Sequence, residues 1–193
     1  NKEIVNSINE TGGKAIGLAG NKDSLIEASK LKVPVRETDS NIEKILDIGF
    51  VGEPIKINNE IILDKLNKDY IPVIAPNGVG DDGNAYNINA DTVAGEVAVA
   101  LEAEKLILLT DTRGILLDPS DETTLIPTLN TNQIDSYIQD GIIGAGMLPK
   151  VEACTTALAA SVSKTHIVDG RLKHAMLLEI FTSHGIGTEI VKA

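Results

Sequence analysis

The sequence predicts an α/β fold with a mainly parallel central sheet flanked by helices. Two observations predict it. Short apolar runs, such as residues 105–109 and 164–168, alternate with longer stretches of helical spacing, the pattern of strands joined by helical crossovers. Apolar residues make up 42% of the chain but aromatics only 3%, so the core must be aliphatic, built from Ile, Leu, Val and Ala. At 193 residues the chain fits one domain with a sizeable core.

Taken in order, residues 1–10 have helical spacing, with Ile4, Val5 and Ile8 on one face, and Gly12-Gly13 ends the helix. Residues 14–18 read as a short buried strand, with Gly17 and Gly20 around its end. Residues 21–29 are expected to form a turn and a short helix. Residues 33–36 and 48–51 read as strands of a β-ribbon joined by a charged loop. Asn59 is placed to N-cap a helix reaching Lys65 or Leu66. Residues 70–76 are a compact apolar strand with Pro72 near its start, since proline cannot donate to a central ladder. Residues 77–84 form a turn rich in Gly and Asp.

A helix over 90–103 carries the Ala and Gly that close packing needs. The strand over 105–109 ends at Thr110-Asp111. Helices over 132–139 and 148–160, a strand over 164–168, a helix over 174–182 and a strand over 188–191 complete the chain. No internal repeat, low-complexity linker or clear domain boundary interrupts it.

The composition excludes several functions. A net charge of −11 argues against a broad nucleic-acid surface, which needs a basic stripe. No apolar stretch approaches membrane-spanning length, and the polar N-terminus lacks the apolar region of a signal peptide. The lone Cys154 permits no internal disulfide and reads as a small core residue. His166, His174 and His184 are not at metal-ligand spacing, so no protein-held metal is expected. Abundant Asn, Lys and Ile point to an AT-rich genome, and the expected compartment is the cytoplasm or the plastid stroma.

Chemistry gathers at two motifs. Tyr86-Asn87-Ile88-Asn89-Ala90-Asp91 opens an alanine-rich helix, and Gly144-Ala145-Gly146-Met147-Leu148-Pro149-Lys150 opens another. Asp91, in the first helical turn, either compensates the macrodipole or serves a site. Asn89 caps the helix, or Asn87 and Asn89 offer amide donors to a substrate carboxylate. Lys150 opposes the dipole of its helix, which an anion bound beside the glycine turn explains, although a surface lysine fits the spacing too. Pro149 supports the helix start, and Gly144 and Gly146 let backbone approach a ligand. Asp111 either accepts from a ribose hydroxyl or caps its own turn. No GxxxxGK[ST] and no strand-linked GxGxxG is present.

These residues, with Gly12 to Gly20, Gly49-Phe50-Val51-Gly52-Glu53-Pro54, Leu109 to Gly114, Gly141 to Lys150 and His166 to Thr188, carry a resemblance to the N-acetyl-L-glutamate kinases of the amino acid kinase superfamily. The match runs almost end to end, in the family's order and spacing. It implies a carbamate kinase-like fold, with residues 1–85 as the remainder of a substrate-binding lobe and 86–193 as a nucleotide-binding lobe. It implies transfer of the ATP γ-phosphoryl group to the side-chain carboxylate of N-acetyl-L-glutamate in arginine biosynthesis, with Mg²⁺ held mainly by nucleotide phosphates. Asn87, with Asn89 beside it, then contacts acetylglutamate, Asp91 organises catalytic lysines, and Lys150 neutralises the transferring phosphoryl. Thr110, Asp111 and Met147 surround the nucleotide.

The family's Lys-x-Gly-Gly strand end, Gly-Gly-Gly loop and substrate-binding arginine are not in this sequence. The chain is therefore expected to be roughly the C-terminal two-thirds of such an enzyme, without its first strands and catalytically crippled in isolation. The run from His166 to Thr188 resembles the arginine-inhibited members, so His166, Glu179 and Gly187 are candidates for an L-arginine effector site. The resemblance further implies a homo-oligomer (a hexamer for the full-length enzyme) and a possible partner in the PII signalling protein. Another amino acid kinase, acting on aspartate, carbamate or uridylate, and a non-catalytic arginine- or PII-responsive sensor are the alternatives.

Overall fold

The computed structural model describes residues 1–36, 43–182 and 185–193. The chain divides into two compact units, residues 1–93 and 94–193, and the division falls inside a helix.

The first unit contains α1 (Lys2–Glu10), β1 (Ala15–Ala19), β2 (Ile26–Lys30), β3 (Val33–Arg36), β4 (Glu43–Leu46), β5 (Gly52–Ile57), α2 (Asn59–Leu66), β6 (Ile71–Ala75), β7 (Asn77–Val79), β8 (Ala85–Asn87) and the start of α3 (Ala90–Ala100). Strands β1 and β6 pair in parallel, from Ala15 opposite Ile71 to Ala19 opposite Ala75. A second sheet has the order β5-β2-β7-β8. On α1, the Ile8 side chain lies over Gly13 and that of Val5 over Gly17, while Ile4, expected on the same apolar face, is exposed.

Three expectations are corrected here. Residues 26–30 are strand β2 rather than helix. Buried Ile26 and Ala28 alternate with more exposed neighbours, the period of a strand, and pairing with β5 and β7 satisfies a backbone that a short helix would have satisfied internally. Residues 48–51 are not the partner of β3. That partner is β4, while Val51 bridges Asn87 in parallel and its C=O accepts from Leu31 N–H at 2.8 Å, after Gly49 turns at φ +82°. Residues 77–84 are more than a turn, because β7 and β8 form a hairpin around them, closed by Gly80 N–H donating to Asn84 C=O at 2.9 Å. Of the charged loop expected between the ribbon strands, residues 37–42 lie outside the described residues, and Glu43–Leu46 are strand β4 instead.

The second unit holds the rest of α3, then β9 (Lys105–Thr110), β10 (Thr128–Asn130), α4 (Ile134–Gln139), α5 (Leu148–Ala160), β11 (Lys164–Asp169), α6 (Ala175–Phe181) and β12 (Thr188–Val191). Its sheet has the order β10-β12-β11-β9. The β9–β11 and β10–β12 pairings are parallel and β11–β12 is antiparallel. Helix α3 stops at Ala100 rather than 103. Glu102 turns left-handed and Ala103 N–H bonds back to Ala98 C=O, which closes the helix end.

Helix α5 buries Val151, Cys154, Ala157 and Leu158 against Leu106, Leu108, Ile167 and Ile190 of the sheet. Each large aliphatic side chain in that core contributes about 1.5–3 kcal/mol by leaving water. Cys154 is a core residue, as its surroundings require. Gly95 of α3 sits where a Cβ would press on Ala153, so these two helices meet at nearly bare backbone. Among the described residues no helix is long and apolar enough to cross a membrane.

Candidate active site

Strand β9 delivers Thr110 and Asp111 to its carboxyl end, the usual position for ligands in an open α/β sheet. A cavity of about 650 Å³ opens there. Leu109, Leu116, Pro119, Ile142 and Met147 supply apolar walls, and Thr110, Asp111 and Lys150 supply polar groups. All four nucleotide-site residues expected from sequence, Thr110, Asp111, Met147 and Lys150, thus line one cavity. Leu116 and Pro119, in the irregular segment after β9, carried no sequence signal.

Helix α5 begins beside this cavity. Gly144 C=O accepts from Met147 and Leu148 N–H, each at 3.0 Å, and Met147 C=O accepts from Lys150 and Val151 N–H, each at 3.1 Å. Pro149 has no N–H to offer. The amides of the first turn are therefore occupied, and an anion at this end would meet the Lys150 ammonium and the helix dipole rather than free donors. Gly144 and Gly146 line the cavity with open space where a Cβ would stand, the backbone exposure their sequence pattern implied.

The first unit holds the other motif. Asn87 ends β8 with its N–H on Phe50 C=O at 2.8 Å and its side chain exposed. The Asn89 carboxamide oxygen accepts from Asp91 N–H at 2.8 Å and Thr92 N–H at 3.2 Å. That is an N-cap, so only the Asn89 amide nitrogen is left to serve a substrate. Asp91 stands half-buried in the first turn of α3. These three residues are neighbours, on a different unit from the Lys150 cavity.

His166, Glu179 and Gly187 also come together. His166 Nδ1 lies 2.7 Å from Glu179 Oε1, while Glu179 Oε2 accepts from Ile186 N–H at 2.6 Å and Gly187 N–H at 3.0 Å. Burial pushes the Glu179 carboxyl up, but the two amides and the imidazole outweigh it and hold it below the usual glutamate range. The ionised carboxylate in turn assigns the shared proton to Nδ1. The buried Nε2 atom has no protein partner among the described residues.

His166 and Glu179 line a second, polar cavity of about 320 Å³ with Lys105, Lys164 and Glu189. Lys164 and Glu189 pair at 2.7 Å. The three additional charges could be found only through strand register, which sets Lys164 beside Lys105 and His166 opposite Glu189. His184 lies outside the described residues.

At the end of β11, Asp169 is nearly buried and takes two hydrogen bonds of 2.9 Å from the Arg171 guanidinium. Those bonds hold its carboxyl below the usual range against the opposing effect of burial. Among the described residues no three His, Cys, Asp or Glu side chains are grouped as metal ligands.

The chain is similar to known proteins along its whole length. It is 50% identical over 191 residues to a protein named acetylglutamate kinase from Moorella thermoacetica, covering 99% of this chain and 64% of that one. Another of the same name, from Syntrophus aciditrophicus, is 51% identical over 191 residues with the same coverage. The chain thus spans about 64% of the length of these curated relatives. The solved structure of smu.665 from Streptococcus mutans superposes with a TM-score of 0.76 at 29% identity, covering 98% of this chain and 66% of that one. Carbamate kinase from Giardia lamblia bound to AMP-PNP shares the fold, with a TM-score of 0.66 at 14% identity, covering 100% of this chain and 70% of that one. The amino acid kinase family model matches residues 1–169, and the chain belongs to that family.

Proposed function

We propose that this chain is part of the machinery of an ATP-dependent kinase that phosphorylates the side-chain carboxylate of N-acetyl-L-glutamate. The product is N-acetyl-L-glutamyl 5-phosphate, in the second step of arginine biosynthesis. The observation that carries the reading is the cavity at the end of β9, in a chain half identical throughout to acetylglutamate kinases. Its volume falls within the roughly 300–1,000 Å³ usual for small-molecule sites, and its apolar walls with one lysine suit a base and a polyphosphate.

A carboxylate nucleophile is already ionised at neutral pH, so no general base is required. The protein's tasks are then positioning and charge stabilisation. ATP, when bound, supplies the γ-phosphoryl group, with Mg²⁺ held mainly by its phosphates. Lys150 neutralises phosphate charge. Thr110 and Asp111 serve the polar part of the nucleotide, and Leu109, Leu116 and Met147 its base. Asn87 and the amide nitrogen of Asn89 donate to the acetylglutamate carboxylate, and Asp91 orders the cationic groups around the reaction.

The polar cavity at His166 and Glu179 suits an amino acid carrying both charges. L-arginine is the proposed occupant and feedback inhibitor, with Gly187 fixed beside it through Glu179. A homo-oligomer, hexameric in the full-length enzyme, a PII partner and a cytoplasmic or plastid location rest on the resemblance.

The test is ATP-dependent acyl-phosphate formation by the full-length gene product, trapped with hydroxylamine, with N-acetyl-L-glutamate, aspartate and carbamate offered separately. Product from acetylglutamate alone supports the reading. Product from another acceptor reassigns the substrate, and product from none removes the activity.

A further inference from the structure

Thr188, the first residue of β12, is completely buried. Its hydroxyl has both partners it can use, accepting from Ile115 N–H at 2.8 Å and donating to Ile126 C=O at 2.7 Å. These two groups belong to adjacent segments, in which Ile126 N–H donates to Ile115 C=O at 2.9 Å and Leu116 bridges Leu125. The hydroxyl completes that short ladder. Without it a donor and an acceptor would stay buried and unpaired, because Ile115 and Ile126 are themselves buried. Thr188 also explains Gly114, which turns at φ +144° where a Cβ would lie 2.6 Å from the threonine oxygen. Gly114, Ile115 and Leu116 all form wall of the cavity at the end of β9.

The other side of Thr188 is pinned as well. Ile186 and Gly187, the two residues before it, both donate to Glu179 Oε2. Gly187 has no room to move toward β11, because the Ile167 carbonyl fills the place a Cβ would take. The run from Ile186 to Thr188 is therefore tied at one end to a carboxylate of the polar cavity and at the other to the wall of the apolar one. Packed segments of this kind transmit displacement because they deform little.

We infer that Thr188 is a positioning residue for the nucleotide, setting the Gly114–Leu116 wall and passing to it any movement of the turn that Glu179 holds. The inference rests on the reading of that cavity as the nucleotide site. It is neither of the two sites itself but the connection between them.

The test is calorimetric binding of AMP-PNP with Mg²⁺ to the full chain and to the variants Thr188→Val, Thr188→Ser, Glu179→Gln and the Glu179→Gln/Thr188→Val double variant. Thr188→Val keeps the shape and loses the hydroxyl with both of its bonds, and the displaced wall is expected to weaken binding about tenfold. Thr188→Ser restores the hydroxyl and stays within about threefold of the unaltered chain. The double variant binds no more weakly than Thr188→Val alone, since the two changes act through one path. A threonine that merely stabilises the fold would lower the melting temperature and leave the affinity of the folded protein unchanged. That result, or independent multiplication of the two effects, overturns the inference. Absence of AMP-PNP binding by the unaltered chain defeats the nucleotide reading instead, and the inference falls with it. Should Thr188→Val not fold, amide exchange at Ile115 in the unaltered chain decides. Nucleotide must slow it about tenfold, and unchanged exchange refutes the connection.

Discussion

Replacing Glu179 by glutamine keeps the side-chain shape and removes the charge, and three hydrogen bonds feel the change. The carboxylate takes two amides, from Ile186 and Gly187, and the His166 ring. Bonds to a charged group contribute about 1.5–3 kcal/mol, and neutral ones about 0.5–1.5, so each bond weakens by about 1 kcal/mol. The group is only 7% exposed, so the variant also sheds part of the cost of a buried charge. The net expectation is a loss of about 2 kcal/mol at pH 7, or about 4–8 °C in melting temperature for a chain of this size.

The pH dependence gives the sharper test. Because the folded carboxyl of Glu179 lies below its usual value, its contribution is fully present above the unfolded value, about 4.3, and is lost as the pH falls through the folded one. Urea unfolding followed by circular dichroism at pH 7, 5 and 4 should show the gap between the two proteins closing toward low pH. If the glutamine oxygen keeps the two amides, its NH₂ group faces His166 Nδ1, which must then accept, and the ring proton moves to Nε2. Nitrogen NMR of His166 reports that exchange of tautomer. Equal stability at pH 7, parallel curves below pH 5 and an unchanged tautomer would refute the reasoning.

Gly187→Ala places a methyl group against the Ile167 carbonyl and 3.0 Å from Val168 Cγ2, so β11 and β12 must part. A loss of about 3 kcal/mol is expected in urea unfolding, the upper end for overpacking. Asn89→Ala removes the cap of α3 and should cost about 1 kcal/mol in the same measurement, with any further loss of acetylglutamate affinity assigned to its amide nitrogen. In the hydroxylamine assay, Lys150→Ala should raise the KM for ATP and lower kcat together, and a wild-type rate would return Lys150 to a surface role. Asp91→Asn should lower kcat about a hundredfold or more with little change in nucleotide binding, a charge-positioning effect rather than a binding one.

The cavity at β9 was legible because its signals are local. A strand ending in Thr110-Asp111 and a helix opened by glycines, Pro149 and Lys150 each announce themselves within a few residues. What the sequence left open at Asn89 is decided in part by its two hydrogen bonds to Asp91 and Thr92 N–H, which make its oxygen a cap. Strand pairing is of the opposite kind. Residues 21–29 read locally as a turn and a short helix, and pairing with β5 and β7 makes residues 26–30 a strand. Strand β3 pairs with β4 rather than with residues 48–51, a choice that local sequence does not encode because it is one of pairing between segments.

By itself the sequence determined the α/β class, the aliphatic core, most helix boundaries and the two motifs, Thr110-Asp111 and Gly144 to Lys150, that meet at the cavity at β9. Periodicity, capping and glycine placement act over a few residues and are written in their order. Tertiary structure decided which strands pair, that Lys105, Lys164 and Glu189 share a cavity with His166 and Glu179, and that Thr188 joins the Glu179-held turn to the Ile115 wall. Those depend on contacts between residues such as Ile115 and Thr188, far apart in the chain, where register and burial rather than local preference set the energy.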